Sequence, residues 1–526
     1  MTQFTLVKQY AFAAAAVLML ISAEPARSSG TEAEDGFRPI FDGQTLEGWS
    51  APDMRYWSVE DGAITARSSK DVPCSKNQFL VWQRGKLDDF ELKLNFRILG
   101  PPSANSGIQI RSTIAADGHA TGYQADMDRS GTWMGALYDE HTGRRGLAKR
   151  GQRTRIDEYG KRAEEALTGG PVKIDLDGWN QYHIVARGSH IMLKINGTTT
   201  AEVFDHEKAH RDLSGKLALQ IHSGPPMTVQ FKDISLKRLP LADGRKKIVM
   251  IAGRPSHPSG QHEFNAGVKL LAKRLRDNDS VVLANYHDNG WPADPTAMDN
   301  ADAIIVYADG LKSHPLLSHL KEVDGLMRKG VGLMCMHFAV HVEAGAEGEL
   351  FRRWIGGYYE TGYSSNPHWD ADLKLNAKHP ILRGATPGVI HDEWYFSIRF
   401  REDATDVTTL MEAKPSDKTR SMNNWPRVSY PHIVAAAGRS ETLMWAVERP
   451  DGGRGVGFTG GHWHHNWAYD LQRNAILNAM LWVAGAEVPE GGIRSANVDE
   501  QELNENLDPK RKMVRVELPA GLKPSD

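Results

Sequence analysis

Histidines in this chain gather directly behind short apolar runs. His257 and His262, with Glu263 beside them, follow residues 247–252 (KIVMIA). His337 and His341 follow 332–336 (GLMCM), and His462, His464 and His465 follow 455–458 (GVGF). Neutral imidazoles with a carboxylate are ordinary ligands for zinc, nickel, manganese or iron. The spacing therefore makes a divalent transition metal a candidate cofactor, with His262, His337 and His462 as the inward-facing ligands and His257, Glu263, Glu393 and His464 around them. The alternative is that several of these side chains cap helices or hydrogen-bond a polar ligand. A second set lies earlier in the chain, where Asp126 and Glu140 stand on strand-like segments with Arg111 and His222 in the same region. Two carboxylates can divide the work of general base and general acid, while a cation or donor faces developing negative charge. The plain alternative is a solvated strand face.

The elements that must position these residues change character along the chain. Residues 90–98 (FELKLNFRI) alternate strictly between apolar and polar, the pattern of a strand with one wet side. Residues 190–197 (HIMLKING) repeat it, and Asn196-Gly197 supplies a tight turn into 198–203. Many such runs separated by Gly and Asp predict an antiparallel β-sandwich over 36–238. A linker is expected at 239–246. Beyond it, apolar strands at 247–252, 303–307 and 332–336 alternate with helical spacing at Phe264, Val268, Leu271 and Leu275 and at Leu316, Leu320, Val323 and Met327. Strands apolar on both faces, separated by helices, predict an α/β domain with a parallel sheet over 247–485. Its ligands belong at the carboxyl ends of the strands, which is where the histidines stand. Residues 486–526 are charged and aperiodic, and are expected to form an extended arm.

A chain of 526 residues is too long for one ordinary core, in keeping with two domains. Lys+Arg 63 against Asp+Glu 66 gives a net charge of -3 with no basic block, which argues against a nucleic-acid partner. Lys8, an apolar run at 11–21, and then Ser22 and Ala23 follow the order of a secretory signal peptide. Residues 1–23 are therefore expected to be removed, leaving a periplasmic or secreted protein with no membrane span. The run is shorter than the roughly 20 residues that cross a bilayer. Only Cys74 and Cys335 are present, far apart, so no disulfide framework exists. Nothing in the sequence specifies an oligomeric state.

Particular strings carry a resemblance. Residues 41–49 (FDGQTLEGW), 57–64 (WSVEDGAI), Asn105-Ser106-Gly107-Ile108 with Arg111, 122–126 (GYQAD), 135–140 (GALYDE), Trp179-Asn180 and Gln220-Ile221-His222 occur in that order. The first domain thus resembles the 3-keto-disaccharide hydrolase family, whose sandwich is similar to laminin-G and concanavalin jelly rolls and whose activity is cleavage of glycosides bearing a ketone at C3. Many members read Tyr-Glu where this chain has Tyr123-Gln124, so no titrating group stands at Gln124. Chemistry on a 3-keto sugar requires a base near C2, a donor or cation at the enolate, and an acid at the glycosidic oxygen. On this reading Asp126 and Glu140 are base and acid, Arg111 and His222 stabilise the enolate, Tyr123 and Tyr138 stack on the sugar, and Asn105, Gln124 and Gln220 bind it. The substrate partner would be a keto-sugar or oligosaccharide.

Residues 246–267, 332–339 (GLMCMHFA), Asp392-Glu393-Trp394-Tyr395 and 455–465 (GVGFTGGHWHH) resemble the ThuA-like, trehalose-utilisation family, similar in fold to class I glutamine amidotransferases and flavodoxin-like sheets. His337 stands where an amidotransferase carries its cysteine nucleophile. Cys335 lies two residues earlier inside the apolar strand, where a buried, inert thiol is expected. The histidines could here bind a metal or sugar hydroxyls. A carbohydrate-binding role for the sandwich, serving a catalytic second domain, is the alternative to cleavage by the sandwich itself.

Overall fold

In the strand Phe90–Leu99 every second side chain is buried, and the strand lies at the heart of a sandwich. The computed structural model describes residues 36–276, 281–401, 405–422 and 430–522; the leader-like segment 1–23 lies outside these. Phe90–Leu99 is hydrogen-bonded antiparallel to Asn180–Arg187 on one side and Thr228–Arg238 on the other, within a ten-stranded sheet. A seven-stranded antiparallel sheet faces it. Leu137–Glu140, Ala120–Asp128, Asn105–Ile114, Lys216–Ile221 and Gln78–Trp82 follow one another across this second sheet. The single parallel pairing described in the sandwich joins Gln152–Ile156 to Thr198–Asp205. At the expected hairpin, Asn196 and Gly197 both take positive φ, 50° and 80°, as the tight turn demands.

The second domain differs from its sequence expectation in one respect. Its eight-stranded sheet is mixed, not parallel throughout. Val282–His287, Lys246–Ala252, Ala303–Tyr307, Gly332–Met336 and Arg454–Phe458 are parallel neighbours in that order. Glu441–Glu448, Val407–Ala413 and Lys374–Leu375 then extend the sheet antiparallel. Ile248, Met250 and Ala252 belong to one core, and Val249 and Ile251 to the other, so the strand is apolar throughout because both its faces are covered. Among the described residues, no helix is long and apolar enough to cross a membrane. Cys74 and Cys335 are buried and unbridged.

The segment 239–246, expected as a linker, is hydrogen-bonded to the sandwich. Leu239 donates its N–H to Asp89 O at 2.9 Å, and Ala242 donates to Asp89 Oδ2 at 2.7 Å. On either side of the segment, Arg238 binds Asp294 at 2.7 Å and Lys247 approaches Asp88 at 3.8 Å, all four side chains being 2% exposed. The C-terminal arm is likewise packed. Leu503 of the short helix Glu500–Leu503 is wholly buried, and Asp508 nearly so.

Candidate functional site

Strand alternation divides the side chains of Ala120–Asp128. Tyr123, Ala125 and Met127 enter the sandwich core, which sends Gln124 and Asp126 to the opposite face. Register then lines up their neighbours: Gly107 stands opposite Asp126, Gln109 opposite Gln124, Tyr138 opposite Gln124, and Glu140 opposite Gly122. Gln220 and Asn105 join the same side of the sheet. Gln109 donates to Gln124 Oε1, and Gln124 donates to Asp126 Oδ1, each at 2.6 Å. Gly107 is required here, because a Cβ at that position would lie 2.4 Å from the Gln124 side chain. The Gln220 amide and Asn105 Oδ1 are buried and meet no partner among the described residues. Burial pushes the Asp126 carboxyl well above its ordinary range; the Gln124 bond opposes this and the charge of Glu140 adds to it.

Other expected members of this site are elsewhere. Arg111 was expected to face the enolate, but the ladder slips between Ile110 and Thr113, and Arg111 at φ 48° turns aside. Its guanidinium is 1% exposed and spent on Asp89, Asp88 O and Gly188 O. Tyr123, expected as a sugar platform, is a core residue whose hydroxyl donates to Asp205 at 2.5 Å. Asp126 and Glu140 share a face, and the charge of Glu140 is felt at Asp126. Glu140 also lies beside His141, 2.8 Å away, and receives the Asn77 amide at 3.4 Å. His222 is half-buried at the strand end, its Nδ1 on Ser223 O at 2.6 Å.

In the second domain the strand ends do converge. His262 follows Lys246–Ala252, His337 follows Gly332–Met336, His462 follows Arg454–Phe458, and Glu393 ends Val389–Glu393. One ligand atom from each of the four lies within 4.8 Å of the others. Hydrogen bonding fixes two of the tautomers. The second nitrogen of His337 points at Thr459 O, 3.1 Å away, and a carbonyl can only accept, so Nδ1 carries the proton. The Nδ1 of His262 lies 2.8 Å from Asp309 Oδ1 and donates to it. Both Nε2 atoms then carry lone pairs, yet they face each other at 3.0 Å. His462 Nδ1 stands 3.0 Å from His262 Nε2 and 3.1 Å from Glu393 Oε2, and its Nε2 is buried with no partner among the described residues. Facing lone pairs beside a carboxylate suit a cation, so the donor set fits a divalent metal.

The electrostatics agree with neutral ligands. Burial holds the imidazoles of His262 and His337 well below their ordinary range and brings His462 down to about 4. Burial likewise lifts Glu393 to about 7, although Asn366 donates to its Oε1 at 2.9 Å. Asp392 accepts the N–H groups of Gly461 and His462, fixing the last loop. The Tyr395 hydroxyl lies 3.4 Å from both His337 Nε2 and Glu393 Oε2.

Of the neighbours expected around the cluster, His257 stands against it, whereas Glu263 and His464 do not. His257 is exposed at the mouth, its ring stacked on His262 with centroids 3.6 Å apart. Glu263 points away, accepting from Gly260 and Asp508 N–H groups and pairing with Lys510 at 3.2 Å. His464 is wholly buried outside the cluster, its imidazole brought down to about 3 by burial. Asp309, Asn366 and Tyr395 had been given no role. Asp309 follows the strand Ala303–Tyr307 and could have been found by the same strand-end rule; Asn366 carried no signal. A cleft of about 740 Å³ lined by His379, Arg383, Glu448, Arg454 and Trp482 lies at the other end of Arg454–Phe458 and shares no residue with the cluster.

Fold and site together define a β-sandwich with a polar face joined to an α/β domain with a histidine-lined pocket. Residues 36–237 match the 3-keto-alpha-glucoside-1,2-lyase-like domain, and residues 249–483 match the ThuA, trehalose utilisation, family. The two matches fall one to each domain, and both support a carbohydrate-related function. Among solved structures, a candidate glycosyl hydrolase from Parabacteroides distasonis is 18% identical over 39% of this chain and 94% of its own, TM-score 0.27. The carbohydrate-binding module CBM66 from Bacillus subtilis is 14% identical over 36% and 95%, TM-score 0.26. A ThuA-like protein from Bacteroides uniformis is 16% identical over 45% and 91%, TM-score 0.33. No curated protein compared with the chain matches it.

Proposed function

We propose that the chain is a carbohydrate-active enzyme that cleaves 3-keto-glycosides or 3-keto-disaccharides, and that cleavage takes place on the polar face of the sandwich. Asp126 carries this reading: a buried carboxyl with a raised pKa, oriented by Gln124, on a face otherwise built from amides. A ketone at C3 acidifies the C2 hydrogen. Asp126 takes that proton, the electron pair moves into an enolate, and re-formation of the ketone creates a C1–C2 double bond as the C1 oxygen leaves, taking up a proton from water. Water then adds across that bond. The amides of Gln124, Gln109 and Gln220 supply neutral donors to the sugar oxygens. With Arg111 occupied elsewhere, His222 is the residue left from the expected pair to face the enolate.

In the second domain, His262, His337, His462 and Glu393 would hold a divalent transition metal, with Asp309 and Thr459 orienting the imidazoles. Such a metal polarises a sugar carbonyl or hydroxyl. This pocket would act on the same or the following keto-sugar. The five parallel strands run in the order second, first, third, fourth, fifth, which supports the flavodoxin-like reading of the domain. The leader-like order of residues 1–23 supports a periplasmic or secreted location.

A general base contributes about 10²- to 10⁴-fold. Asp126→Asn is therefore expected to slow cleavage of a 3-keto-glucoside by that factor, with product formed by the wild type in heavy water carrying deuterium at C2. Because burial raises the Asp126 pKa, the wild-type rate is expected to fall on acidification at a higher pH than an ordinary Asp would set. Convergence of four ligand atoms favours a second reading, in which the ThuA domain is catalytic and the sandwich only holds the sugar. Loss of cleavage in His337→Ala with full activity in Asp126→Asn would establish that reading in place of the first.

A further inference from the structure

A second meeting of imidazoles and a carboxylate lies at the rim of the sandwich's polar face. His119 ends the turn that leads into Ala120–Asp128, Glu140 ends the neighbouring strand Leu137–Glu140, and His141 follows it. Their ligand atoms lie within 4.8 Å of one another. The Nε2 atoms of His119 and His141 are in contact, and His141 Nε2 is also 2.8 Å from Glu140 Oε1. One proton can satisfy one of these contacts but not both. A cation among the three atoms satisfies them together.

The surroundings hold these atoms in place. His119 accepts Ala115 N–H at its carbonyl and donates its own N–H to Asp117, while its ring stands edge-on to Phe79 at 5.7 Å. His141 takes φ 57°, a left-handed conformation uncommon for a residue with a side chain, which turns it back over Glu140. The Asn77 amide donates to Glu140 Oε1, and Asn77 Oδ1 accepts Ser223 N–H at 3.0 Å, tying the carboxylate to the segment that bears His222. Glu140 is 11% exposed and His141 46%, so the group is supported from below and open above. Two histidines and one carboxylate with an open side is a donor set used for catalytic first-row divalent metals.

We propose that His119, Glu140 and His141 form a divalent-metal site on the sandwich, distinct from the histidine pocket of the second domain. A metal held there would take two oxygens of the sugar, a vicinal diol or a hydroxyl and the ketone, on the face that carries Tyr138, Gln124 and Asp126. Glu140 is then a ligand and not the general acid. Metal binding itself stands apart from the elimination reading; only the metal's use in sugar binding rests on it.

The test uses full-length protein, freed of metal by chelation and titrated with Co²⁺ and Zn²⁺. His119→Ala and Glu140→Gln are each expected to weaken one equivalent by at least ~100-fold, and Asn77→Ala, which removes the outer partner, by ~10- to 100-fold. The same losses are expected in a His337→Ala background, where the second-domain site is already impaired. His141→Ala lies on an exposed turn and serves if Glu140→Gln fails to fold. Unchanged stoichiometry and affinity in the His119, Glu140 and His141 variants would overturn the proposal. An Asp126→Asn variant that retains full cleavage while these variants lose metal would sink the elimination reading and leave the metal site standing.

Discussion

His262 and His337 could be picked out of the sequence because each follows a parallel strand, and parallel strands deliver their following residues to one crevice. Arg111 and Glu263 show where that kind of reading fails. Alternation counts Arg111 onto the same face as Gly107 and Gln109, but one slip of the ladder redirects it, and a slip leaves no periodic signal. Glu263 sits next to a ligand in sequence, yet it enters the helix Phe264–Arg276 facing the tail. Asp309 is the outer partner that holds His262 with its proton on Nδ1 and its lone pair on Nε2. Asp309→Asn keeps the shape and removes the charge, so the divalent-metal affinity of the second-domain pocket is expected to fall ~10- to 100-fold. Metal titration of the full chain measures this, and an affinity equal to wild type would mean that His262 is not a ligand.

Continuous apolar strands correctly marked a sheet covered on both faces, but apolarity reports burial and not direction. Glu441–Glu448 (ETLMWAVE) is as buried as its parallel neighbours and runs antiparallel to Arg454–Phe458. The tail was legible only as aperiodic, because what fixes it is a set of single contacts. Lys510 reaches Glu263 Oε1, and its ammonium also donates to the carbonyls of Gln261 and His262. The arm thereby clamps the loop that carries a metal-ligand candidate. Lys510→Met leaves the wholly buried Glu263 without its cation. Breaking a buried pair in this way typically costs ~3–5 kcal/mol, so a lower Tm is expected. Hydrogen exchange at residues 258–263 should also quicken, whereas an arm that merely lies on the surface would leave exchange there as it was.

At the scale of the molecule, composition placed the change between domains near residues 239–246 but could not show that the junction is closed. Closure comes from charges contributed by distant segments. Lys247 lies between Asp88, Asp294 and Asp299 on one hand and Arg238 on the other, with its Nζ on Asn300 Oδ1 at 2.6 Å. Burial, helped by the Arg238 charge, brings the Lys247 ammonium down from 10.5 to about 8, against the pull of the three carboxylates. A folded chain therefore releases this proton near pH 8, while an unfolded chain keeps it to 10.5. Across that window the unfolded state binds more protons, so this group makes stability rise with pH, by at most ~1.4 kcal/mol per pH unit. Below the window its cost to the folded state is constant. Lys247→Met removes the titrating group, and the variant's unfolding free energy is expected to rise less steeply, or fall more steeply, between pH 8 and 10.5 than that of the wild type. Urea unfolding at several pH values across that range decides the matter: parallel curves would place the Lys247 ammonium in an ordinary environment and the junction open to water.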